Sequence, residues 1–244
     1  MKTPLFLLVV SLLIIGCQAE LTFNNHPRPD LTADFSPFED AGCPQNEYGA
    51  RYCEEDSPLL AFGCDEISET SDLFGGLTPN YPITYCYVEP LLSGEDLPDE
   101  PEFPDEGTYF YSSGGFFPRF TRYVIYKDGE FELLQNLDDF RAVFAPVDTP
   151  EEALGYALAV NRASAYFDLE HDPQYEYFVD TIEDTHVETR SDGYLVHLFR
   201  YQFFGCGPHN TYALTFHVSE QGEIEEVSSE PIFKDPSEDD LCVD

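Results

Sequence analysis

Cys206 and His209 stand at C-x-x-H spacing within "FGCGPHNT", residues 204–211. A thiolate and an imidazole are both zinc ligands, but a structural zinc site needs four ligands and a catalytic one needs three plus water. No second C-x-x-C or C-x-x-H accompanies them in the surrounding domain. A thiol nucleophile would want a paired base and a positive neighbourhood to lower its pKa, and no Lys or Arg occurs between residues 201 and 233. The expectation is therefore a stapled turn, with no metal, cofactor or catalytic residue assigned. The alternative is a metal-binding or thiol-dependent enzyme centred on Cys206 and His209, helped by His197 or His217.

Other residue patterns carry less. No G-x-S-x-G, H-E-x-x-H or G-x-x-x-x-G-K-[ST] string occurs, so the usual hydrolase, metalloprotease and P-loop signals are absent. Asp168, Glu170 and Asp172 alternate like the start of a calcium loop, but Pro173 stands where an EF-hand requires Gly. "SSGG" at 112–115 reads as a turn before a strand rather than a phosphate loop, since no helix pattern follows it. The aromatic stripe Phe199, Tyr201, Phe203, Tyr212 and Phe216 is expected to be core rather than the lining of a ligand groove.

The elements that would position these residues follow from pattern. Lys127-Asp128-Gly129-Glu130 separates two apolar-rich runs, a strong hairpin signal. A short helix over 136–144 places Leu137, Phe140 and Phe144 on one face. A second, over 149–161, starts with Thr149 as cap, Pro150 at the first position and Glu152 completing a capping box. Its apolar side suits it to lie across a sheet. That sheet is expected from the alternating runs after residue 181. For Leu195, Phe199, Tyr201 and Phe203 to share a core with Tyr212, Leu214, Phe216 and Val218, residue 204 must lie opposite 211. His197 then faces inward opposite Val218, His217 faces outward, and Cys206 and His209 sit at an exposed tip.

The chain begins "MKTPLFLLVVSLLIIGCQAE", with an apolar run too short to cross a bilayer as a helix. It reads as an export signal. Its end, Leu13-Ile14-Ile15-Gly16-Cys17, resembles the lipobox of a bacterial lipoprotein. That resemblance covers this segment only and implies cleavage before Cys17 and acylation of that residue. With Gln18 rather than Asp after the Cys, it implies the outer membrane in a two-membrane bacterium. The alternative is ordinary secretion after cleavage behind Ala19. Six further cysteines, Cys43, Cys53, Cys64, Cys86, Cys206 and Cys242, form an even set expected to pair as disulfides in an exported chain. Six cysteines permit 15 pairings. The economical one has two bridges within the early four and one from Cys206 to Cys242.

A formal charge of −37 excludes nucleic acid and anionic lipid as partners of the protein surface, because both depend on Lys and Arg. With 42% hydrophobic residues, 21 Phe and 16 Tyr, the chain still has the material for a packed core. The expected organisation is a signal peptide over 1–16, an acidic Pro-containing tether over 17–42, and a Cys-rich loop segment over 43–92. An acidic Pro-rich linker over 93–107 and an α+β domain over 108–244 follow. In that domain helices pack on a curved antiparallel sheet, an element order loosely like cystatin-like or NTF2-like folds. The expected function is a non-enzymatic binding or interaction module in the cell envelope, held to the membrane only by its lipid. Its partner would be a protein or small ligand, with cationic ones favoured.

Overall fold

A computed structural model describes residues 21–44, 53–90 and 103–243. The signal segment, Cys17 and much of the acidic linker lie outside the described residues. In chain order the regular elements are β1 (Thr22–Asn24), α1 (Ser36–Asp40), β2 (Glu66–Glu69), β3 (Ile83–Val88), β4 (Tyr111–Ser112), β5 (Phe120–Lys127) and β6 (Glu130–Leu134). Then come α2 (Leu137–Phe144), α3 (Pro150–Val160), β7 (Glu176–Tyr177), β8 (Thr181–Glu183), β9 (His186–Arg190) and β10 (Gly193–Tyr201). The last are β11 (Gly205–Cys206), β12 (Asn210–Val218), β13 (Ile224–Lys234) and β14 (Cys242–Val243).

Local chemistry accounts for several boundaries. Asp128 and Gly129 both take positive φ, 54° and 89°, and so form the tight turn that joins β5 to β6. Asn136 caps α2 by accepting from the amides of Asp138 and Asp139. At α3 the Thr149 hydroxyl accepts from the Glu152 amide while the Glu152 carboxylate accepts from the Thr149 amide, which completes the capping box.

The fold is α+β, with few helices packed against a curled antiparallel sheet. That sheet runs β7-β13-β12-β10-β9. Irregular register in β13 opposite Thr211/Tyr212 and Thr215/Phe216 adds the bends that such curling needs. A second sheet runs β2-β3-β5-β4, with β6 also on β5. Between them lies α3, whose residues Glu152 to Ala159 are all buried. A helix apolar on most sides must be covered on most sides. Leu154, Ala157 and Leu158 share one core with Val196, Leu214 and Phe216 of the curled sheet and with Ile83, Tyr123 and Ile125 of the other. The close approach to α3 depends on Gly76, where a Cβ would meet the Glu151 carbonyl oxygen at 2.6 Å. The helix is thus enclosed from two sides rather than laid across one sheet.

Three features differ from the sequence reading. The Cys-rich stretch 43–92 is not only loop: β2 and β3 lie in it, and β3 pairs with β5 along its whole length, so one sheet joins it to residues beyond 108. The stretch read as a tether is docked from residue 22 onward, because β1 pairs in parallel with β8 and Phe38 is fully buried. The register of β10 on β12 sets Tyr201 opposite Thr211 and Tyr194 opposite Val218, not 204 opposite 211. This turns Tyr194, Val196 and Leu198 to the main core and sends Phe199 to a second cluster with Ile182 and Ile232 on the other face. The apolar pattern of β10 does not fix its parity, because both faces of the strand are covered and both carry apolar residues.

Candidate functional site

Cys206 is bonded to Cys242, and β11 pairs with β14 around that bridge. The other described bridges are Cys43–Cys53 and Cys64–Cys86. An oxidised Cys206 supplies neither a nucleophile nor a thiolate ligand. His209 is not at an exposed tip: it is 1% exposed, although Cys206 itself is exposed. Its Nδ1 faces the Gln202 carbonyl at 2.8 Å and its Nε2 faces the Leu241 carbonyl at 3.0 Å. Carbonyls only accept, so both ring nitrogens are called on to donate, and these two bonds raise the His209 pKa. With both nitrogens engaged, no lone pair is left for a metal. The close turn depends on Gly207, where a Cβ would meet the Asp239 carbonyl oxygen at 2.4 Å. "FGCGPHNT" is a staple that holds residues 235–243 against the end of the sheet.

Beside the staple lies a cleft of about 460 Å³ whose walls include Tyr175, Tyr201, Phe203 and Phe233, together with Asp235, Glu238 and His209. Tyr175 stacks on Phe233 at 5.0 Å, and Phe203 lies 6.2 Å from Tyr201. Tyr175 is 38% exposed and Phe203 45%, so aromatic surface is open to solvent on two sides. The aromatic stripe read as core therefore divides: Phe199 and Phe216 are buried, while Tyr201 and Phe203 line the cleft.

The cleft's electrostatics are negative. Tyr201 donates to Glu238 at 2.6 Å, and burial followed by that hydrogen bond pushes the Tyr201 hydroxyl up to about 12. Hydrogen bonds from Ser237 hold Asp235 below its ordinary value. The nearby Lys234 is taken up by Asp239 at 2.6 Å and Glu176 at 3.4 Å. Asp235 and Glu238 form no ion pair with Lys or Arg among the described residues, and the one cationic ring in the same lining is His209, whose pKa Glu238 helps to raise.

His197 does not point into the main core. It lies opposite Thr215, on the same outer face as His217, which faces Asp192 at 3.7 Å. His197 and His217 stay apart from Cys206 and His209, so the four make no joint site. Instead His197 stacks on His186, which in turn stacks on His26. Burial and the neighbouring His186 hold the His197 pKa below its ordinary value, against the pull of Glu188. A signal for part of this was present. A two-residue turn at Ser191-Asp192 pairs Arg190 with Gly193 and so places His186 opposite His197. Nothing local announces His26, which arrives through the parallel pairing of β1.

The segment of Asp168, Glu170 and Asp172 is fixed through its backbone. The amides of Asp168 and Leu169 donate to the buried carboxylate of Asp184 at 2.6 and 3.2 Å.

Fold and site together define a disulfide-held α+β body with an aromatic, acidic cleft. No protein-family model matches the chain, and neither a curated protein nor a solved structure matches it. Among the described residues no helix is long and apolar enough to cross a membrane.

Proposed function

We propose that the protein is an exported, lipid-anchored and non-enzymatic binding module whose cleft takes a small organic cation. The observation that carries this reading is the meeting of open aromatic walls, Tyr175, Tyr201, Phe203 and Phe233, with two carboxylates, Asp235 and Glu238, that outnumber the single cationic ring in the lining, His209. An ammonium group over aromatic faces gains roughly 2 kcal/mol where it is desolvated, and carboxylates at the rim steer it inward. The net charge of −37 favours the same class of ligand. Anchoring through Cys17 is supported by the lipobox-like end of the signal segment, and export by three disulfides.

Choline and its uncharged carbon isostere, titrated calorimetrically into the disulfide-bonded chain, test the ligand class. Choline is expected to bind about tenfold or more tightly than the isostere, a difference of about 1.4 kcal/mol. Glu238→Gln and Tyr175→Ala should each weaken it several-fold. Equal affinity for the two probes, or no binding of choline, overturns the reading. For the anchor, Cys17→Ser should move the protein from the membrane fraction to the soluble one.

A further inference from the structure

A second group of chemistry-bearing side chains lies on the outer face of the curled sheet, separate from the cleft residues. Three imidazoles stack in a row: His26 on His186 at 4.0 Å, and His186 on His197 at 4.1 Å. Two glutamates face their edges. Glu183 Oε2 lies 3.7 Å from His26 Nε2 and 3.5 Å from His186 Nε2. Glu188 Oε1 lies 3.8 Å from His186 Nε2 and 3.2 Å from His197 Nε2.

We propose that the β9–β10 hairpin holds one divalent transition-metal ion, with His186 Nε2, His197 Nε2 and Glu188 Oε1 as protein ligands and solvent completing the shell.

Four observations carry the assignment. First, the ligand atoms of His186, Glu188 and His197 all lie within 4.8 Å of one another. Ligands about 2.0–2.1 Å from a tetrahedral ion stand roughly 3.3–3.4 Å apart, so the atoms are near ligand spacing before any ring turns. Second, the tautomer of the central ring is set. His186 Nδ1 lies 2.7 Å from the Asp184 carbonyl, which can only accept, so Nδ1 carries a proton and Nε2, facing the carboxylates, is the nitrogen left to take a metal. Third, Glu188 is oriented: Oε2 takes Arg190, which leaves Oε1 toward the two histidines. Fourth, the backbone delivers the pair, since His186 and His197 are direct partners in the antiparallel register. A pocket of about 270 Å³, bordered by Glu188 and His197, gives an ion and its water a way in.

The chemistry selects the metal class. Two imidazoles with one carboxylate suit zinc, copper or nickel and do not suit calcium or magnesium, which prefer oxygen ligands. The ion must lie in the plane of each ligating ring, whereas the rings of His186 and His197 are now 10° from parallel. His197 is the ring that turns. It is 27% exposed, and its Nδ1 is held only by Thr215 Oγ1 at 3.2 Å. A second triad, His26, Glu183 and His186, shares the same Nε2, so only one of the two can be filled at a time. The hairpin triad is the assigned one because its residues sit on two directly paired strands, while His26 lies beyond the end of β1.

The test is a Zn²⁺ titration against a chromophoric chelator, made on the disulfide-bonded chain carrying Cys17→Ser, with Ca²⁺ as a parallel titrant. One equivalent of Zn²⁺ is expected, without comparable uptake of Ca²⁺. His186→Ala, His197→Ala and Glu188→Gln should each cost about tenfold or more in affinity. His26→Ala should cost less than threefold. Circular dichroism on each variant checks the fold, and Glu188, at a 40% exposed side chain, can be changed without opening a core. No saturable Zn²⁺ binding overturns the proposal. So does binding that survives both His186→Ala and Glu188→Gln, since that would be diffuse carboxylate uptake. Loss in His26→Ala with none in His197→Ala would place the ion in the other triad and equally overturn it.

Discussion

At the scale of single residues, His209 and His197 respond to pH in opposite directions. The two carbonyl acceptors raise the His209 pKa in the folded state. Its contribution to stability is therefore fully present below about pH 6.5, the unfolded value, and is lost as the pH rises through the folded value. His197, lowered by burial and by His186, favours the folded state at higher pH and costs stability as the pH falls through the unfolded value. The two effects oppose each other in the intact protein, so the variant His209→Gln isolates one of them. Thermal unfolding of this variant should fall furthest below the parent near about pH 5, with the gap narrowing toward about pH 9. A gap that is constant across that range would mean the buried ring is not held protonated.

At the scale of elements, the N-terminal segment shows how much a few well-placed aromatics accomplish. Phe38, fully buried against Phe35 and Phe131, and Phe23, packed in the cluster of Ile182 and Phe199, fasten a polar, proline-containing stretch to the body. Phe38→Ala should cost about 3–5 kcal/mol in a urea unfolding experiment. Phe116→Ala, at a side chain 73% exposed, should stay within about 0.5 kcal/mol. The same segment marks the boundary of what the sequence made legible. The capping box at Thr149 and the Asp128-Gly129 turn are local chemistry and could be read directly. The docking of Phe23 on Ile182 and Phe199, and of Phe38 in part on Val124 and Phe131, depends on partners more than 80 residues away, and no periodicity connects them. The register of β10 was obscured by apolar residues on both its faces, and the partnership of His186 with His197 was hidden with it. A cleft built from three separate stretches, around 166–175, 201–211 and 233–238, cannot be read from any one of them alone.

At the scale of the whole molecule, the Cys206–Cys242 bridge and the cleft are one assembly. The bridge closes a separation of 36 residues, which corresponds to about 4 kcal/mol of stabilisation in the chain-entropy account. The double variant Cys206→Ser with Cys242→Ser should lose about that much stability. It should also weaken choline binding, because the tail that carries Asp235 and Glu238 is then held by fewer ties. Binding that is unchanged while stability falls would show that Lys234 and its two carboxylates suffice to hold the wall.

The parallel pairing of Thr22 with Thr181 has one further consequence. Thr22 stands only five positions after Cys17, and extended chain over five steps spans at most roughly 18 Å. An acylated Cys17 would therefore be a short mooring rather than a long leash. The body would be kept beside the bilayer, with the edge that carries β1 nearest the lipid. A surface so acidic, drawn that close to anionic headgroups, would be pushed to rotate its most negative faces outward.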